Sequence, residues 1–407
     1  MDAFSEEIKT LGQTDELDTF LKLSSIQMLR GLAALMVALF HLRGLEADSH
    51  VEADVAEAPL IPVFWENGLV GVDLFFVISG FIMVFVTGAA APGPRTAGAF
   101  FFARAARIYP LWWLFAGAMA AYYLLSLGLP FDADRPGGAG VTGTEHLWKS
   151  FLLLPQPGYP VLSLGWTLIH EMYFYLVFAL TLLVWRRALP FVLAGWGALV
   201  LGFALAGFST SHPSTLIELA VSPMTLEFIA GAFAGLLFNA GRRFAPLTLT
   251  LIGIAALITS MALITPPRVA AELGDGPSAQ YFLEWGRVLW FGLPTVLIVY
   301  GVASLEADGR FREIRPLTWL GDWSYALYLS HILVFAAIRR VLPVGEPGMG
   351  DNILYIALAL PAAILTAAFT YQFFERPLMR LFGRARAAMF GTANDGLKPR
   401  PIRPSVW

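Results

Sequence analysis

Ten charge-poor runs of 17 to 22 residues divide the 407-residue chain. They lie at residues 26–42, 68–87, 109–127, 166–185, 189–208, 222–238, 247–264, 285–304, 319–338 and 353–374. A helix of about 20 residues, rising about 1.5 Å per residue, crosses the roughly 30 Å hydrocarbon layer of a bilayer. Charged residues form only 14% of the chain and apolar residues 57%, so lipid must solvate much of its surface. The sequence predicts an all-α integral membrane protein with about ten transmembrane helices.

The basic residues are unevenly distributed between the segments that join these runs. With the N-terminus inside, the inside segments hold 19 of the 27 lysines and arginines, and the outside segments hold six. Because cytoplasmic loops of membrane proteins are enriched in lysine and arginine, both termini are predicted to be cytoplasmic. Residues 1–23 lack a signal-peptide core and are expected to form a cytoplasmic segment. Residues 24–382 then form one transmembrane domain, and residues 383–407 form a basic cytoplasmic tail that we expect to be disordered.

Net charge and cysteine content argue against several classes of function. The formal net charge is −3, which gives no reason to expect a nucleic-acid partner. The chain has no cysteine, which excludes disulfides, thiolate metal sites and a cysteine nucleophile. It also has no metal-ligand spacing, glycine-rich phosphate loop or Gly-x-Ser-x-Gly elbow. We therefore expect no metal.

Ionisable residues inside membrane spans are functional candidates by default. Arg30 and His41 are 11 positions apart on the first helix, so they share a face and lie about 16 Å apart along its axis. Asp73 and Glu171 each lie about 8 Å below the outer surface, near the level of His41, where a carboxylate can orient an imidazole. Arg287 near the outer end of the eighth helix is a candidate for binding an acceptor. Each residue also has a structural interpretation. The arginines could lie at the membrane interface, the histidine could be a hydrogen-bonded structural residue, and the carboxylates could form hydrogen bonds or cap a helix.

A second group of candidates lies towards the cytoplasm. Arg104 and Arg107 are three positions apart, on one face of a helical turn, and guanidinium groups suit phosphate oxygens. Ser324, Tyr328 and His331 form a polar stripe on the ninth helix. The alternatives are anchoring by positive charge for the arginines and a polar helix seam for the stripe. Combined with the candidates above, the pattern predicts a passage with an anion-binding mouth inside and an acid–base group outside.

Six segments carry these residues in a recognisable order. They lie at 30–41 (Arg-x10-His), 71–81, 104–110 (Arg-x-x-Arg-Ile-Tyr-Pro), 166–171, 324–331 and 374–377 (Phe-Glu-Arg-Pro). The ordered set resembles the motifs of the integral-membrane acyltransferase family 3. Thr167 stands where the family has serine, and Ala103 stands where an extra basic residue is frequent. The opening segment, 26–41, is most similar to the exopolysaccharide acetyltransferases of the succinoglycan type.

The resemblance implies an O-acyltransferase of a bacterial inner membrane. It would move an acyl group, with acetyl favoured, from cytoplasmic acyl-CoA to a hydroxyl of an envelope or exopolysaccharide glycan, free or lipid-linked. Membrane lipid and polysaccharide assembly machinery are the other implied partners. In this assignment His41 is the general base, and Asp73 or Glu171 orients its imidazole. The catalytic set is therefore His41, Asp73 and Glu171. The residues assigned to binding the acyl donor are Arg30, Arg104, Arg107, Ser324, Tyr328 and His331.

Three other functions are compatible with these residues. One is a transporter or flippase of a polysaccharide precursor, although the sequence has no obvious internal repeat to support an inverted-repeat fold. Another is a scaffold for polysaccharide assembly, which leaves the polar residues at membrane depth unexplained. The third is an acyltransferase whose acceptor is a lipid or a small molecule. Within the enzyme class, acetyl and succinyl donors both remain open, as do direct transfer and an acyl-histidine intermediate.

Overall fold

The computed structural model describes residues 23–52, 60–127, 143–184, 186–206, 213–264, 285–342 and 350–391. Within these ranges the chain forms helices and no β-strand. We number the α-helices in chain order: α1 Ser24–Glu52, α2 Val70–Val86, α3 Pro94–Leu127, α4 Gly143–Leu152, α5 Gly165–Thr181, α6 Leu189–Leu205, α7 Leu216–Ala220, α8 Met224–Asn239, α9 Pro246–Leu263, α10 Leu293–Ala307, α11 Arg315–Asp322, α12 Ser324–Val341, α13 Gly350–Thr370 and α14 Arg376–Phe390. The all-α class predicted from the sequence is confirmed for this part of the chain.

Each of the ten charge-poor runs contains a helix. Seven helical segments in the described ranges are long and apolar enough to cross a membrane: Ser24–Asp48, Val63–Val86, Pro94–Leu125, Leu216–Asn239, Pro246–Leu263, Trp285–Ala307 and Asn352–Phe390. The helices α5 and α6 have 17 residues each, and α12 carries Arg339 and Arg340 in its last turn. The structure thus supports a multi-pass membrane protein, while the count of about ten spans and the side of the termini stay predictions.

The first helix lies at the centre of the bundle and positions two candidate residues. It packs against α2, α10, α11 and α12. Ala33 faces one of the two hydrophobic clusters of the core, and Ala34, Val37 and Ala38 face the other. At the helix start, Glu306 accepts hydrogen bonds from the Ser24 and Ser25 backbone amides, both at 2.9 Å. These bonds satisfy amides that have no partner within the helix, so the helix that bears Arg30 and His41 is fixed along its length.

The helices α2 and α8 pack closely against each other through glycines. Gly80 on α2 lies against the backbone of Phe228, and Gly231 on α8 lies against the backbone of Val77. A methyl group at either glycine would collide with the partner backbone, so only glycine allows this approach. The contact holds Asp73 of α2 beside Glu227 of α8.

The chain continues as a helix beyond the last predicted span. A turn of π-helix, Tyr371–Glu375, joins α13 to α14, which runs to Phe390. Helix therefore extends eight residues into the region that we expected to be a disordered tail from residue 383. The remainder of that region, 392–407, and residues 1–22 of the predicted cytoplasmic segment lie outside the described residues.

Candidate active site

A cavity with about 720 Å³ of empty volume lies between α1, α2, α3, α5 and α12. Its apolar wall comes mainly from α2. Its polar wall consists of Arg30, Ser79, Arg104, Arg107, Thr167, Glu171, Tyr175, Tyr325 and Tyr328. Five of the candidate residues chosen from the sequence therefore line one cavity: three arginines, Glu171 and Tyr328.

One end of the cavity is built from arginines. Arg104 and Arg107 come from successive positions on one face of α3, and Arg30 comes from α1, where its Nη1 donates to Gln27 Oε1 at 3.1 Å. The Arg104 guanidinium lies 5.7 Å from the ring centre of Phe100, while its buried Nε has no hydrogen-bond partner among the described residues. A buried guanidinium nitrogen that lacks an acceptor is suited to bind an anion.

Glu171 lies at this arginine end. Its Oε1 accepts hydrogen bonds from Ser79 Oγ at 2.9 Å and from the Tyr175 hydroxyl. Three guanidinium groups thus share the cavity wall with one carboxylate. The excess of positive charge in a low-dielectric site attracts an anionic ligand.

The first-helix histidine is paired with a second histidine. His41 Nδ1 lies 3.1 Å from His331 Nε2 and 3.0 Å from the Val37 carbonyl oxygen, and His331 Nδ1 lies 2.9 Å from the Leu327 carbonyl oxygen. Carbonyl oxygens only accept, so both Nδ1 atoms carry hydrogen. The single hydrogen of His41 Nδ1 is then shared between the Val37 carbonyl oxygen and His331 Nε2, which both act as acceptors. This arrangement leaves the lone pair of His41 Nε2 available to take a proton.

The other end of the cavity is lined by Tyr328, and neither His41 nor His331 is among the residues that line it. Tyr328 lies one turn before His331, with ring centres 6.2 Å apart, and its hydroxyl lies 2.7 Å from Thr167 Oγ1. Tyr328 and Thr167 both line the cavity. Tyr325 donates to the Ile108 carbonyl at 2.7 Å and so aligns α12 with α3. On α3, Arg104 lies four residues before Ile108, and on α12, His331 lies six residues after Tyr325. At about 1.5 Å per residue, the arginine end and the histidine pair are therefore about 15 Å apart along the helix axes.

The three α12 residues predicted to bind the donor have different surroundings. Tyr328 lines the cavity. His331 is fully buried and contacts His41. Ser324 is also fully buried, and its Oγ has no hydrogen-bond partner in the described part of the chain. The polar stripe therefore divides into a cavity-wall residue, a partner of the first-helix histidine and a residue packed in the core.

The carboxylate expected to orient His41 makes other contacts. Asp73 is fully buried and forms a bidentate pair with Arg287, whose Nε donates to Oδ1 at 2.7 Å and Nη2 to Oδ2 at 2.6 Å. Arg287 also donates to the Leu69 carbonyl at 3.1 Å. The hydrogen bonds of the His41 ring go instead to Val37 and His331. The His41 ring thus contacts His331 where a contact with Asp73 or Glu171 was expected. Asp73 pairs with Arg287, and Glu171 lies with the arginines on the cavity wall.

The sequence analysis missed a carboxylate next to this ion pair. Glu227 on α8 is buried and interacts electrostatically with Asp73 and Arg287. It is the single acidic residue of the run 222–238, so the rule that charges at membrane depth are candidates would have found it. Among the described residues, no group of three or more His, Cys, Asp or Glu is arranged to hold a metal ion.

Comparisons with known proteins give the family. The sequence model of the family described as acyltransferase domain (acyltransferase 3) matches residues 23–372. The exopolysaccharide production protein ExoZ of Rhizobium meliloti (strain 1021) is 34% identical over 80% of this chain and 94% of its own length. Acyltransferase MdmB of Streptomyces mycarofaciens is 27% identical over 90% of this chain and 94% of its own length.

A third relative is a longer protein. Peptidoglycan O-acetyltransferase OatA of Listeria monocytogenes is 21% identical over 88% of this chain, but the match covers 56% of OatA. No solved structure matches the chain. The family match spans all the elements that form the cavity and the histidine pair, and it confirms the resemblance found in the ordered motifs. The chain therefore belongs to the acyltransferase 3 family of membrane acyltransferases.

Proposed function

We propose that this protein is an O-acyltransferase of the bacterial inner membrane that uses cytoplasmic acyl-CoA, with acetyl as the favoured acyl group. The acceptor is a hydroxyl of an envelope or exopolysaccharide glycan. One observation supports the proposal most directly: a cavity lined by three arginines extends to Tyr328, one turn of α12 before a buried histidine pair. The names of two relatives, an exopolysaccharide production protein and a peptidoglycan O-acetyltransferase, support a glycan acceptor.

The donor occupies the length of the cavity in this proposal. Arg104 and Arg107, together with Arg30, bind the phosphates of CoA through charge-assisted hydrogen bonds. The unpartnered Nε of Arg104 supports this role. The pantetheine arm then runs past Tyr328, and the thioester reaches the histidine pair about 15 Å away. Nothing in this path requires a metal ion, because the arginines supply the positive charge.

The chemistry follows from the tautomers of the two histidines. His41 Nε2 removes the proton of the acceptor hydroxyl. The hydroxyl oxygen forms a bond to the thioester carbonyl carbon, the carbon–sulfur bond breaks, and the CoA thiolate takes the proton back from His41. His331 Nε2 accepts the His41 Nδ1–H throughout, so that the ring keeps its orientation and its transient positive charge is stabilised.

The test measures transfer and cellular product together. Purified protein in lipid nanodiscs is incubated with acetyl-CoA and a hydroxyl-bearing glycan, and release of CoA thiol is followed. The envelope polysaccharide of cells with and without the protein is compared by mass analysis. His41→Ala is expected to abolish acyl transfer while CoA binding is retained. A His41→Ala protein that inserts normally and transfers at the wild-type rate would exclude this function.

A further inference from the structure

A buried glutamine connects one of the cavity arginines to a carboxylate outside the cavity. Gln27 lies one turn before Arg30 on α1 and is buried. Its Oε1 accepts a hydrogen bond from Arg30 Nη1 at 3.1 Å, and its Nε2 donates to Asp322 Oδ1 at 3.0 Å. Arg30 lines the cavity, whereas neither Gln27 nor Asp322 is among the lining residues. The three side chains therefore form a chain of hydrogen bonds that reaches the arginine end of the cavity from the side of α11.

The packing of α11 on α1 brings the carboxylate within reach of the glutamine. A methyl group at Gly321 would collide with the backbone carbonyl of Gln27, so only glycine allows the two helices to approach this closely. Asp322 is the next residue and the last of α11. Its carboxylate is consequently held beside the Gln27 side chain.

The chemistry of the three side chains determines the orientation of the amide. A guanidinium group only donates hydrogen bonds, and a carboxylate only accepts them. The amide oxygen of Gln27 must therefore face Arg30, and its amide nitrogen must face Asp322. A reversed amide would place donor against donor at Arg30 and acceptor against acceptor at Asp322. Asp322 thus holds the Gln27 oxygen in position for Arg30.

This contact holds the Arg30 guanidinium without neutralising it. Within the described ranges, the hydrogen bond of that guanidinium goes to Gln27 Oε1. Glu171 and Glu375 interact with Arg30 electrostatically, but no ion pair between described residues involves it. Because the contacting amide is neutral, the positive charge and the other guanidinium nitrogens remain for an anionic ligand in the cavity.

We propose that Gln27 and Asp322 are positioning residues for the donor site, which orient the Arg30 guanidinium towards the phosphates of the acyl donor. This inference rests on the proposed function above, in which Arg30 binds donor phosphate. Two properties are needed at position 27: an acceptor for Arg30 and the absence of a charge. Glutamate would keep the acceptor but add a charge, and methionine would add no charge but offer only a weak acceptor.

The experiment measures CoA affinity by isothermal titration on the full chain in nanodiscs. We expect Gln27→Met to weaken CoA binding about tenfold, because Arg30 loses the acceptor that orients it. Gln27→Glu should weaken binding at least as much, since an adjacent carboxylate competes with phosphate for Arg30. At saturating donor, kcat should change little in both variants. Ser25→Ala, which removes another buried polar group from α1, should leave CoA affinity unchanged.

A double-variant cycle separates positioning from packing. If Gln27 acts through Arg30, Gln27→Met should cause no further loss of CoA affinity in an Arg30→Met background. Asp322→Ala should also weaken CoA binding, and Asp322→Asn should restore most of the affinity, because its side-chain oxygen can still accept from Gln27. A residue that only ties α11 to α1 would instead change stability and leave the affinity of each folded molecule unchanged.

Two results would overturn the inference. One is wild-type CoA affinity in folded Gln27→Met, or in folded Asp322→Ala if the Gln27 variant does not fold. The other is an equal loss of affinity from Gln27→Met with and without Arg30, because Gln27 would then act independently. If wild type binds no CoA, or if Arg30→Met binds it as tightly as wild type, the donor site of the proposed function fails first, and the inference fails with it. The two failures are therefore distinguishable.

Discussion

In the proposed mechanism, His331 takes the place that a carboxylate holds in serine-hydrolase triads. Its Nε2 lies 3.1 Å from His41 Nδ1, and its own tautomer is fixed by the Leu327 carbonyl. We expect His331→Ala to lower kcat by about 100-fold, a typical share of general-base catalysis, because the His41 ring loses the acceptor that orients it. The KM for the acyl donor should stay near the wild-type value, since the arginine end of the cavity is untouched. Steady-state kinetics with a varied donor concentration separates the two parameters.

His331→Asn is the control for this prediction, because its side-chain oxygen can still accept a hydrogen bond. It should recover part of the lost kcat and shift the pH profile of transfer towards that of wild type. If His331 instead serves only to fill space in the core, the alanine and asparagine variants will show equal activity for each folded molecule. Equal activity would exclude the positioning role.

Arg104 is the cavity arginine with a buried and unpartnered donor, so its loss should affect donor binding most directly. A charge-assisted hydrogen bond contributes about 1.5–3 kcal/mol, and we therefore expect Arg104→Ala to weaken CoA binding about 10- to 100-fold. At saturating donor, kcat should change little. Isothermal titration of CoA into nanodisc-embedded protein measures the first effect. Unchanged CoA affinity in a correctly folded Arg104→Ala would contradict the assignment of this end of the cavity to phosphate.

Spacing within one helix was sufficient to predict which candidate residues share a face. The 11-residue interval placed Arg30 and His41 on one face of α1, and the three-residue interval placed Arg104 and Arg107 together. The partners across helices could not be predicted in the same way. Asp73 meets Arg287, 214 positions away, and His41 meets His331, 290 positions away. Periodicity gives the face that a residue occupies but does not give which helix lies opposite.

At the scale of elements, two glycines determine how closely α2 and α8 approach. We expect Gly231→Ala to lower the free energy of unfolding by about 1–3 kcal/mol, the usual cost of overpacking, because the new methyl group would collide with the Val77 backbone. Gly195→Ala on α6 is the matched control, since no atom lies within 4 Å of its new methyl group. Thermal unfolding in detergent compares the two. Equal stability of both variants would show that the helix contact adjusts at little cost.

The helices themselves were the most predictable elements. A lack of charge over about 20 residues is a direct consequence of lipid solvation, and every run found in this way contains a helix. The continuation to Phe390 was not predicted, because the basic sequence from residue 383 was interpreted as a disordered tail. Its apolar positions, Phe382 and Phe390, pack against α3 instead. A tertiary contact thus extends a helix that composition alone would end.

At the scale of the whole molecule, the Asp73–Arg287 pair joins the start of α2 to the π-helical turn Val288–Gly292 that precedes α10. Glu227 of α8 adds a second carboxylate to the same buried group. One guanidinium therefore connects three helices that the chain separates widely. Removing one partner of a buried pair leaves an uncompensated charge, which costs about 3–5 kcal/mol. We therefore expect the pair to stabilise the folded bundle.

Asp73→Asn tests this expectation against the catalytic role assigned to Asp73 from the sequence. If the pair acts on folding, Asp73→Asn and Arg287→Met should each lower the free energy of unfolding by about 3–5 kcal/mol, and the double variant should lose less than their sum because both substitutions remove the same interaction. Transfer for each folded molecule should stay close to wild type. Unfolding in detergent and kinetics corrected for the folded fraction provide both measurements. An Asp73→Asn protein of wild-type stability that no longer transfers acyl groups would instead favour the catalytic role, because its only defect would lie in the chemistry.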